Sequence, residues 1–371
     1  MNKNIVMILC AIVFIYVSCG DGATYTVEVI DGVRHVHNIA PLIEGEGNVH
    51  FEFVQKIGVL EGEDKNYIFF KPADVTVDNE GYLYVLDNSS CQVKKFDRNG
   101  KHILTFGDKG QGPGEFERPA YIEIGPNNML YILDNRTIHT FTSEGKYISR
   151  LRLEEFGGPF TINSENQIII DRSASSKMRF TEDNYKNSLM GILDNEGNVI
   201  TTFGTPLLFD IPQLQAFANF LDIAHDGENN IYVAFVAQNR IEKYSLNGQL
   251  IWIADRPINF ELVYRTETRP NEVRGEIVES EYSVVSVVSQ GVGIDHNNRI
   301  WVLTILKQQF EEDMNVDDLY EFDVFNSDGI LLYTISPPDI RWDNVSIYND
   351  RIYFVDPFQE MCVYEYKIVE N

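Results

Sequence analysis

The feature that most constrains this chain is a unit of about 40 residues that recurs along its length. The clearest copy, residues 69–107, reads as four short strands with alternating Val, Ile, Tyr and Phe positions, separated by turn residues. A close copy follows at 116–151, and weaker copies continue towards the C-terminus. A tandem array of four-stranded units is typical of a β-propeller, in which each unit forms one blade.

Two landmarks give the number of blades. A residue that tolerates a left-handed backbone precedes each second strand, and its copies are Gly81, Asn128, Asn166, Asn229, Asn298 and Asp350. An apolar triplet follows each copy, as in Leu83-Tyr84-Val85. The turn between the third and fourth strands carries a glycine at Gly100, Gly145, Gly197, Gly248 and Gly329. The first landmark predicts six blades, and the second is absent from the last of them.

The missing glycine turn predicts how the ring closes. The chain ends at Asn371, soon after Tyr364 and Tyr366, so the last blade has no fourth strand of its own. The stretch Phe51–Ile57 resembles a fourth strand, and we expect it to pair with Val363–Ile368. Closure removes the two unpaired sheet edges of an open array. The predicted fold is an all-β, six-bladed β-propeller of four-stranded blades over residues 46–371, closed by an N-terminal strand.

Residues 1–18 read as an export signal. Lys3 is the only charge, and the apolar run from Ile5 to Val17 is too short to span a bilayer comfortably. The sequence Tyr16-Val17-Ser18-Cys19 resembles a bacterial lipobox, with Tyr16 where Leu is usual, and this resemblance implies lipidation of Cys19. A non-lipid export signal is the alternative. Residues 19–45 are Gly-rich and are predicted to form an irregular tether that leads into the ring.

The charge of the chain excludes some partners. With 56 acidic and 30 basic residues, the formal net charge is −26. Such a field repels nucleic acid and anionic lipid headgroups. We therefore expect no nucleic-acid partner, and contact with a membrane only through the lipid anchor.

Variation in loop length points to one face of the ring. Turns between strands one and two, and between three and four, lie on the same face because successive strands alternate in direction. The other face, here called the insert face, receives the second-to-third loops and the links between blades. The inserts 171–188, 204–219, 254–287 and 304–319 all fall on it. Inserts confined to one face of a rigid scaffold predict a binding surface there.

Candidate contact residues in these inserts are aromatic or basic. They are Arg172, Arg179, Tyr185, Arg256, Tyr264, Arg265 and Phe310. Aromatic rings interleaved with arginines suit an envelope protein, a peptide or a glycan as partner. The alternative, given equal weight, is that the inserts pack on one another.

A metal site is the weaker hypothesis. Aspartates follow several second strands, namely Asp87, Asp134, Asp171 and Asp356, and a ring of such carboxylates could hold Ca²⁺. The favoured interpretation is that each accepts hydrogen bonds from its own loop, so that no cofactor is required. His225 and His296 are expected to be solvated turn residues.

The links between blades carry a family resemblance. The run from Phe106 to Phe116, followed by Pro119, resembles the link of NHL-repeat propellers, and residues 81–87 resemble their repeat. Together with the lipobox, the chain resembles six-bladed propeller lipoproteins of Gram-negative envelopes. This resemblance implies a lipid-anchored protein of the cell envelope, at the outer membrane, on its periplasmic or surface side.

Two functions are compatible with these sequence features. The first is a binding scaffold that acts through the insert face. The alternative is a metal-dependent hydrolase or lyase similar to propeller lactonases, since this fold hosts binding modules and enzymes alike. Its ligands would come from first-strand residues such as Asp74, Glu123, Asp222 and Asp343. No catalytic acid, base and nucleophile can be read from the sequence, and catalysis is therefore the second hypothesis.

Overall fold

A closed ring of six blades forms the body of the protein. The computed structural model describes residues 13–14, 22–153, 158–173, 188–273, 276–308 and 319–370. Blades 1 to 5 are antiparallel meanders in which four strands that follow one another in sequence are neighbours in space, whereas blade 6 takes its fourth strand from the N-terminal part of the chain. The first strands of the blades contact one another around the centre of the ring. The all-β, six-bladed propeller predicted from the repeat is confirmed.

The elements follow in chain order. The N-terminal part contains β1 (Val13–Phe14), β2 (Tyr25–Ile30), β3 (Val33–Asn38) and β4 (Val49–Ile57), then a 3-10 helix at Lys65–Tyr67. Blade 1 contains β5 (Pro72–Val77), β6 (Leu83–Asp87), β7 (Gln92–Phe96) and β8 (His102–Phe106). The link to blade 2 holds the short parallel pair β9 (Asp108–Lys109) and β10 (Glu115–Phe116). Blade 2 contains β11 (Pro119–Ile124), β12 (Leu130–Asp134), β13 (Thr137–Phe141) and β14 (Tyr147–Arg152).

The second half of the ring carries the larger inserts. Blade 3 contains β15 (Phe160–Ile162), β16 (Ile168–Asp171), β17 (Met190–Leu193) and β18 (Val199–Phe203), and the helix α1 (Pro212–Ala218) follows it. Blade 4 contains β19 (Leu221–His225), β20 (Ile231–Phe235), β21 (Ile241–Tyr244) and β22 (Leu250–Asp255). A long hairpin of β23 (Tyr264–Val273) and β24 (Glu276–Val285) precedes blade 5. Blade 5 contains β25 (Ser289–Ile294), β26 (Ile300–Ile305), β27 (Tyr320–Phe325) and β28 (Leu331–Ile335). Blade 6 contains β29 (Asn344–Tyr348), β30 (Arg351–Asp356) and β31 (Cys362–Glu370), with β4 as its fourth strand.

The core lies between the blades. Leu83 and Val85 of β6 pack towards blade 6, whereas Tyr84 and Leu86 of the same strand pack towards blade 2. Because both faces of the second strands are buried in this way, these strands read as continuous apolar runs. In the described part of the chain, one apolar cluster fills the space between each pair of neighbouring blades.

The turn landmarks adopt the predicted backbone with one correction. Gly81 has φ of 80°, and Asn128, Asn166, Asn229 and Asn298 have φ between 55° and 62°. In the sixth turn Asn349 takes the positive φ, 57°, so the assignment of this role to Asp350 is wrong by one residue. Asn tolerates the left-handed region better than most residues because its short polar side chain can bond to the local backbone.

The same side-chain hydrogen-bond pattern recurs in the tight turns between strands one and two and between strands three and four. An oxygen of one Asp or Asn accepts the backbone N–H groups two and four residues later in the turn, which holds the turn closed. In the described residues the pattern occurs at Asp78, Asp97, Asn163, Asp194, Asp226, Asp295 and Asn326. The second carboxylate oxygen of Asp78 also accepts the Tyr84 hydroxyl at 3.0 Å, which ties the turn to the core strand.

The N-terminal strand β4 closes the ring as predicted. It pairs antiparallel with β31, and the register joins Ile57 to Val363 and Phe51 to Ile368. The last blade is therefore built from both ends of the propeller sequence.

The segment before β4 is not an irregular tether throughout. Strands β2 and β3 form a hairpin, and β3 adds in parallel to β22, so the prediction of irregular chain is wrong for residues 25–38. Asp255 at the end of β22 accepts the Asn38 backbone N–H at 3.1 Å and lies 2.7 Å from His37 Nδ1. Burial lowers the pKa of His37, but its contacts with Asp255 and Glu28 outweigh burial and raise it. The sequence did not predict that β3 extends the outer edge of blade 4, because β3 and β22 lie far apart along the chain.

Removal of the Phe51 ring should destabilise the closure. The ring lies 6.0–6.4 Å from the rings of Trp301, Phe322 and Phe354 in the cluster between blades 5 and 6. We expect Phe51→Ala to lower the free energy of unfolding by about 2–4 kcal/mol, measured by urea denaturation. Phe53→Ala is the matched control, since Phe53 lies on the same strand but is 55% exposed. Equal losses in both variants would contradict the packing role of Phe51.

Candidate functional site

The aspartates that follow the second strands hold loops in place. Asp87 accepts the backbone N–H groups of Phe70 and Lys71 at 2.8 and 2.9 Å. Asp134 accepts the equivalent groups of the next blade, those of Glu117 and Arg118, at 2.8 and 2.7 Å. In both blades, therefore, the carboxylate fixes the link that enters its own first strand.

The other two members of the series act within their own loops. Asp356 accepts three consecutive backbone N–H groups, from Phe358 to Glu360. Asp171 accepts the backbone N–H and the hydroxyl of Ser173 at 2.7 and 2.9 Å, and burial raises the pKa of Asp171 to about 7. Among the described residues, no group of three His, Cys, Asp or Glu side chains is placed to hold a metal ion. The loop interpretation of these four aspartates fits their contacts, whereas Ca²⁺ binding stays a prediction.

The centre of the ring is a polar channel that the first strands surround. Its cavity of about 340 Å³ extends to the tight-turn face, where Asn79 and Asn349 line it. Of the four first-strand carboxyls considered from sequence, Asp74, Glu123 and Asp222 line this cavity. Asp343 does not, because it lies in a separate cavity beside the link between blades 5 and 6.

Two channel carboxylates bridge neighbouring blades. Asp74 of blade 1 accepts the backbone N–H of Ile122 in blade 2 at 2.9 Å. Asp222 of blade 4 accepts the backbone N–H of Val292 in blade 5 at 3.0 Å. Asn344 of blade 6 occupies the equivalent position and donates to the backbone carbonyl of Ala73 in blade 1 at 3.1 Å. These side chains therefore link the first strands of neighbouring blades by hydrogen bonds.

The pKa values of the channel carboxyls are raised. Burial raises the pKa of Asp74 to about 7, although the bonds from Ile122 and Val75 oppose the rise. Burial also raises the pKa of Asp222 to about 6. For Glu123, burial and then the charge of Asp74 raise the pKa well above its ordinary value. Carboxyls with such values in a cleft are candidates for acid–base chemistry, but structural carboxyls share the property.

Sequence reasoning missed the neutral members of the channel. Tyr121, Thr161, Asn344 and Tyr348 line it, and His225 Nδ1 lies 2.8 Å from Thr161 Oγ1. Burial lowers the pKa of His225, so its description as a solvated turn residue is wrong. The signal available was the period of two along each first strand, which points alternate residues at the centre.

On the insert face, the bases of the inserts are built into the blades. Helix α1 packs against β23 and β24, and Phe209 lies 5.3 Å from the ring of Tyr264. The buried Asn219 amide exchanges hydrogen bonds with the backbone of Leu207, both at 2.7 Å. Gln308 does the same with Val287, at 3.0 and 2.9 Å. The inserts thus pack on one another at their bases.

Arg256 belongs to the interior and not to the surface. Its side chain is fully buried, donates to Thr304 Oγ1 at 2.9 Å and lies 3.7 Å from an oxygen of Asp323. Burial lowers the pKa of Arg256 and raises that of Asp323. A guanidinium in this position supports blade 5, and the contact of Arg256 with a ligand stays a prediction.

The remaining candidates divide into two groups. Tyr264 is half-buried and donates its hydroxyl to the Ala237 carbonyl at 2.5 Å, whereas Arg265 is exposed and pairs with Glu267 at 2.5 Å. Arg172 follows β16 near the start of its insert, and its side chain is already engaged in contacts. Arg179, Tyr185, Phe310 and the lipidation candidate Cys19 lie outside the described residues.

Two cavities open beside the inserts. One, of about 320 Å³, lies between β24 and the end of β26 and is lined by residues such as Phe217, Tyr282 and Ile305. The other, of about 590 Å³, lies at the link between blades 5 and 6. Both volumes fall near the range of small-ligand sites.

Comparison with known proteins agrees with this architecture. Residues 48–226, just under half of the chain, match the family model DUF5128, which is described as a 6-bladed beta-propeller. The chain is related to six-bladed propellers. Peptidyl-glycine alpha-amidating monooxygenase B of Xenopus laevis is 24% identical over 266 residues, covering 66% of this chain and 29% of that protein. Monooxygenase A of the same organism is 26% identical over 196 residues, covering 50% of this chain and 20% of that protein. The chain therefore spans less than a third of these relatives.

Solved structures show the same propeller fold. A member of the DUF4221 family from Bacteroides vulgatus superposes with a TM-score of 0.59 at 10% identity, over 87% of this chain and 99% of that one. A Bacteroides fragilis protein described as exported superposes with a TM-score of 0.57 at 8% identity, over 89% of this chain and 99% of that one. At these identities the similarity shows the fold alone. Within the described residues, no helix has the length and apolar character needed to cross a membrane.

The channel carboxyls should make stability fall as the pH rises. A carboxyl whose pKa is higher in the folded than in the unfolded protein binds more protons when folded, so deprotonation above pH 4 to 5 costs stability. We expect Glu123→Gln to raise the melting temperature at pH 8, on the order of 2 °C, and to leave it unchanged at pH 4, below the pKa of the unfolded glutamate. Glutamine keeps an oxygen for the hydrogen bond from the Ile124 N–H.

Glu52→Gln, at an exposed position of β4, is the control and should not change the pH dependence. If Glu123→Gln and Glu52→Gln have the same effect at both pH values, the Glu123 carboxyl does not cause the fall in stability at high pH.

Proposed function

We propose that this protein is a lipid-anchored binding module of the cell envelope that takes a protein, peptide or glycan on its insert face. The observation that carries the proposal is the asymmetry of the ring. The tight-turn face is held at minimum length by repeated Asp and Asn turns, whereas α1, the β23–β24 hairpin and the cavity of about 590 Å³ lie on the other face.

Exposed apolar side chains support the same face. Phe70, Leu208, Ile277 and Phe358 are between 54% and 80% exposed, and all four lie in links or second-to-third loops. No large apolar side chain of the described tight turns is comparably exposed. Exposed apolar groups beside rigid polar bases are typical of contact surfaces.

Hydrogen bonds hold the described bases of the inserts in place. The amide groups of Asn219 and Gln308 fix the bases of two inserts, and the Ser286 hydroxyl accepts the backbone N–H of Val263 at 2.9 Å below the hairpin. A surface that is ordered before it meets its ligand loses less conformational entropy on binding.

The second candidate is a hydrolase or lyase that acts in the central channel. The favourable observation is the set of channel carboxyls, Asp74, Glu123 and Asp222, with raised pKa values. The Xenopus laevis relatives are named peptidyl-glycine alpha-amidating monooxygenases, so their names refer to a peptide. A peptide is also one of the three ligand classes proposed here for the insert face. A metal-dependent mechanism needs three or four converging ligands, and among the described residues no three His, Cys, Asp or Glu side chains are grouped in that way. Binding on the insert face is therefore the better-supported function.

Shortening the hairpin should abolish capture of the ligand. Replacing residues 266–283 with Asn-Gly keeps the Tyr264–Val285 and Arg265–Val284 pairs and closes them with a two-residue turn. In envelope extracts, we expect the wild type to cross-link to its ligand and this variant not to cross-link to it. Asn99→Ser with Asn247→Ser alters the tight-turn face and should retain capture. Equal cross-linking by the hairpin variant, with unchanged thermal unfolding, would exclude the hairpin from the binding surface.

Anchoring should depend on the thiol of Cys19. We expect Cys19→Ala to move the protein from the membrane fraction to the soluble envelope fraction and to abolish incorporation of labelled fatty acid. Cys10→Ala, within the apolar run of the signal, is the control and should leave both unchanged. Fatty acid that still incorporates into Cys19→Ala would exclude this site.

A further inference from the structure

The largest cavity described above has a distinctive lining. It lies where the link 336–343 between blades 5 and 6 meets the loop that follows β30. Its volume is about 590 Å³, against about 340 Å³ for the central channel. Its lining combines three aromatic residues, Tyr320, Trp342 and Phe358, with three charged ones, Asp339, Arg341 and Asp343.

The aromatic walls of this cavity are held from behind. Trp342 lies 4.9 Å from the ring of Tyr320 and 5.6 Å from that of Phe354, so the apolar cluster between blades 5 and 6 fixes its orientation. Phe358 also lines the cavity and is 54% exposed. Its backbone N–H donates to Asp356 at 2.9 Å. The aspartate that the sequence suggested as a metal ligand therefore positions an aromatic side chain.

Three charged side chains without hydrogen-bond or ion-pair partners in the described residues flank these rings. In the described residues, the carboxylates of Asp339 and Asp343 and the guanidinium of Arg341 make no hydrogen bond or ion pair, although Arg341 lies over the Phe358 ring at 5.7 Å. Two acceptors and one multiple donor are thus free to meet a ligand beside two aromatic faces. Such a set suits a ring-shaped molecule with an apolar face and a rim of hydroxyl groups.

The chemistry of the lining disfavours other ligand classes. An extended peptide needs free backbone groups. Here Pro337 and Pro338 offer no N–H, and the N–H of Ile340 is bonded to the Pro338 carbonyl at 2.8 Å. A polyanion would meet two carboxylates here in a chain of net charge −26. A neutral, hydroxyl-rich ligand meets neither obstacle.

We propose that this cavity is a subsite for a neutral oligosaccharide. One sugar ring lies against Trp342 and Phe358, and its hydroxyl groups bond to Asp339, Arg341 and Asp343. The proposal rests on the proposed function, since it names the ligand class for one part of the insert face.

The tryptophan content of the chain gives a direct readout. Of the three tryptophans, Trp252 and Trp301 are 2% and 1% exposed, whereas Trp342 is half-buried at the cavity. Quenching of fluorescence by acrylamide therefore reports on Trp342. The full mature chain is titrated with malto-, cello-, xylo-, manno- and chito-oligosaccharides. We expect at least one series to protect the fluorescence from quenching and to bind in calorimetry.

Two variants locate the binding site. Phe358→Ala removes an exposed ring at little cost to the core, and Asp343→Asn removes one charged acceptor. Each should weaken binding by about tenfold or more, as expected when a bound contact of roughly 1.4 kcal/mol is lost. Phe53→Ala is the matched control, because Phe53 is equally exposed, at 55%, on the outer strand of blade 6. It should bind like the wild type.

The outcomes separate this proposal from the proposed function. Failure of all five oligosaccharide series to bind, while the wild type still captures its envelope ligand, overturns the glycan subsite and leaves the binding module intact. Oligosaccharide binding that Phe358→Ala and Asp343→Asn do not weaken also overturns it. Protection of Trp342 by a pool of neutral peptides, and by no oligosaccharide, assigns the cavity to peptides instead.

Discussion

The antiparallel pairing of β4 with β31 is the interaction on which the rest of the structure depends. Each blade buries its second strand on both faces, so every blade needs a neighbour on either side. An open array would leave one such face uncovered at each end and expose two unpaired edges. By supplying the fourth strand of blade 6, β4 joins the first and last blades and brings Phe51 against Trp301 and Phe354.

Closure also defines the two faces of the ring and the uses that each permits. Turns on one face are fixed by Asp and Asn side chains whose oxygens bond to the local backbone, as at Asp78 and Asp226, and such turns leave little room for insertion. Loops on the other face vary in length, although aspartates such as Asp87 and Asp356 hold some of them in place. They accommodate the β23–β24 hairpin, α1 and the aromatic cavity at Trp342, each anchored to a blade by buried or half-buried side chains.

The channel shows how one side chain can have a structural role and an unusual acidity together. Asp74 and Asp222 accept backbone N–H groups from the next blade, which favours their charged forms, while burial favours the protonated forms more strongly. The result is a centre whose charge changes near neutral pH. Because the bridging bonds account for the position of both aspartates, their acidity alone does not make them catalytic residues.

The sequence by itself determined the fold, because the repeat consists of patterns among residues that are close together in the chain. Apolar triplets, positive-φ residues such as Gly81 and Asn229, and the absent sixth glycine turn together specified six blades and the pairing of Phe51–Ile57 with Val363–Ile368. The shift from Asp350 to Asn349 is a local slip, since adjacent Asn and Asp suit the same turn equally well.

Only the tertiary structure decided what the polar residues do, because their partners lie far away in sequence. Arg256 looked like a surface arginine, yet it meets Thr304 and Asp323 inside blade 5. Residues 25–38 looked like an irregular tether, yet β3 finds its partner in β22, over two hundred residues away. Period and turn chemistry act between neighbours in sequence, whereas burial and charge pairing act between neighbours in space.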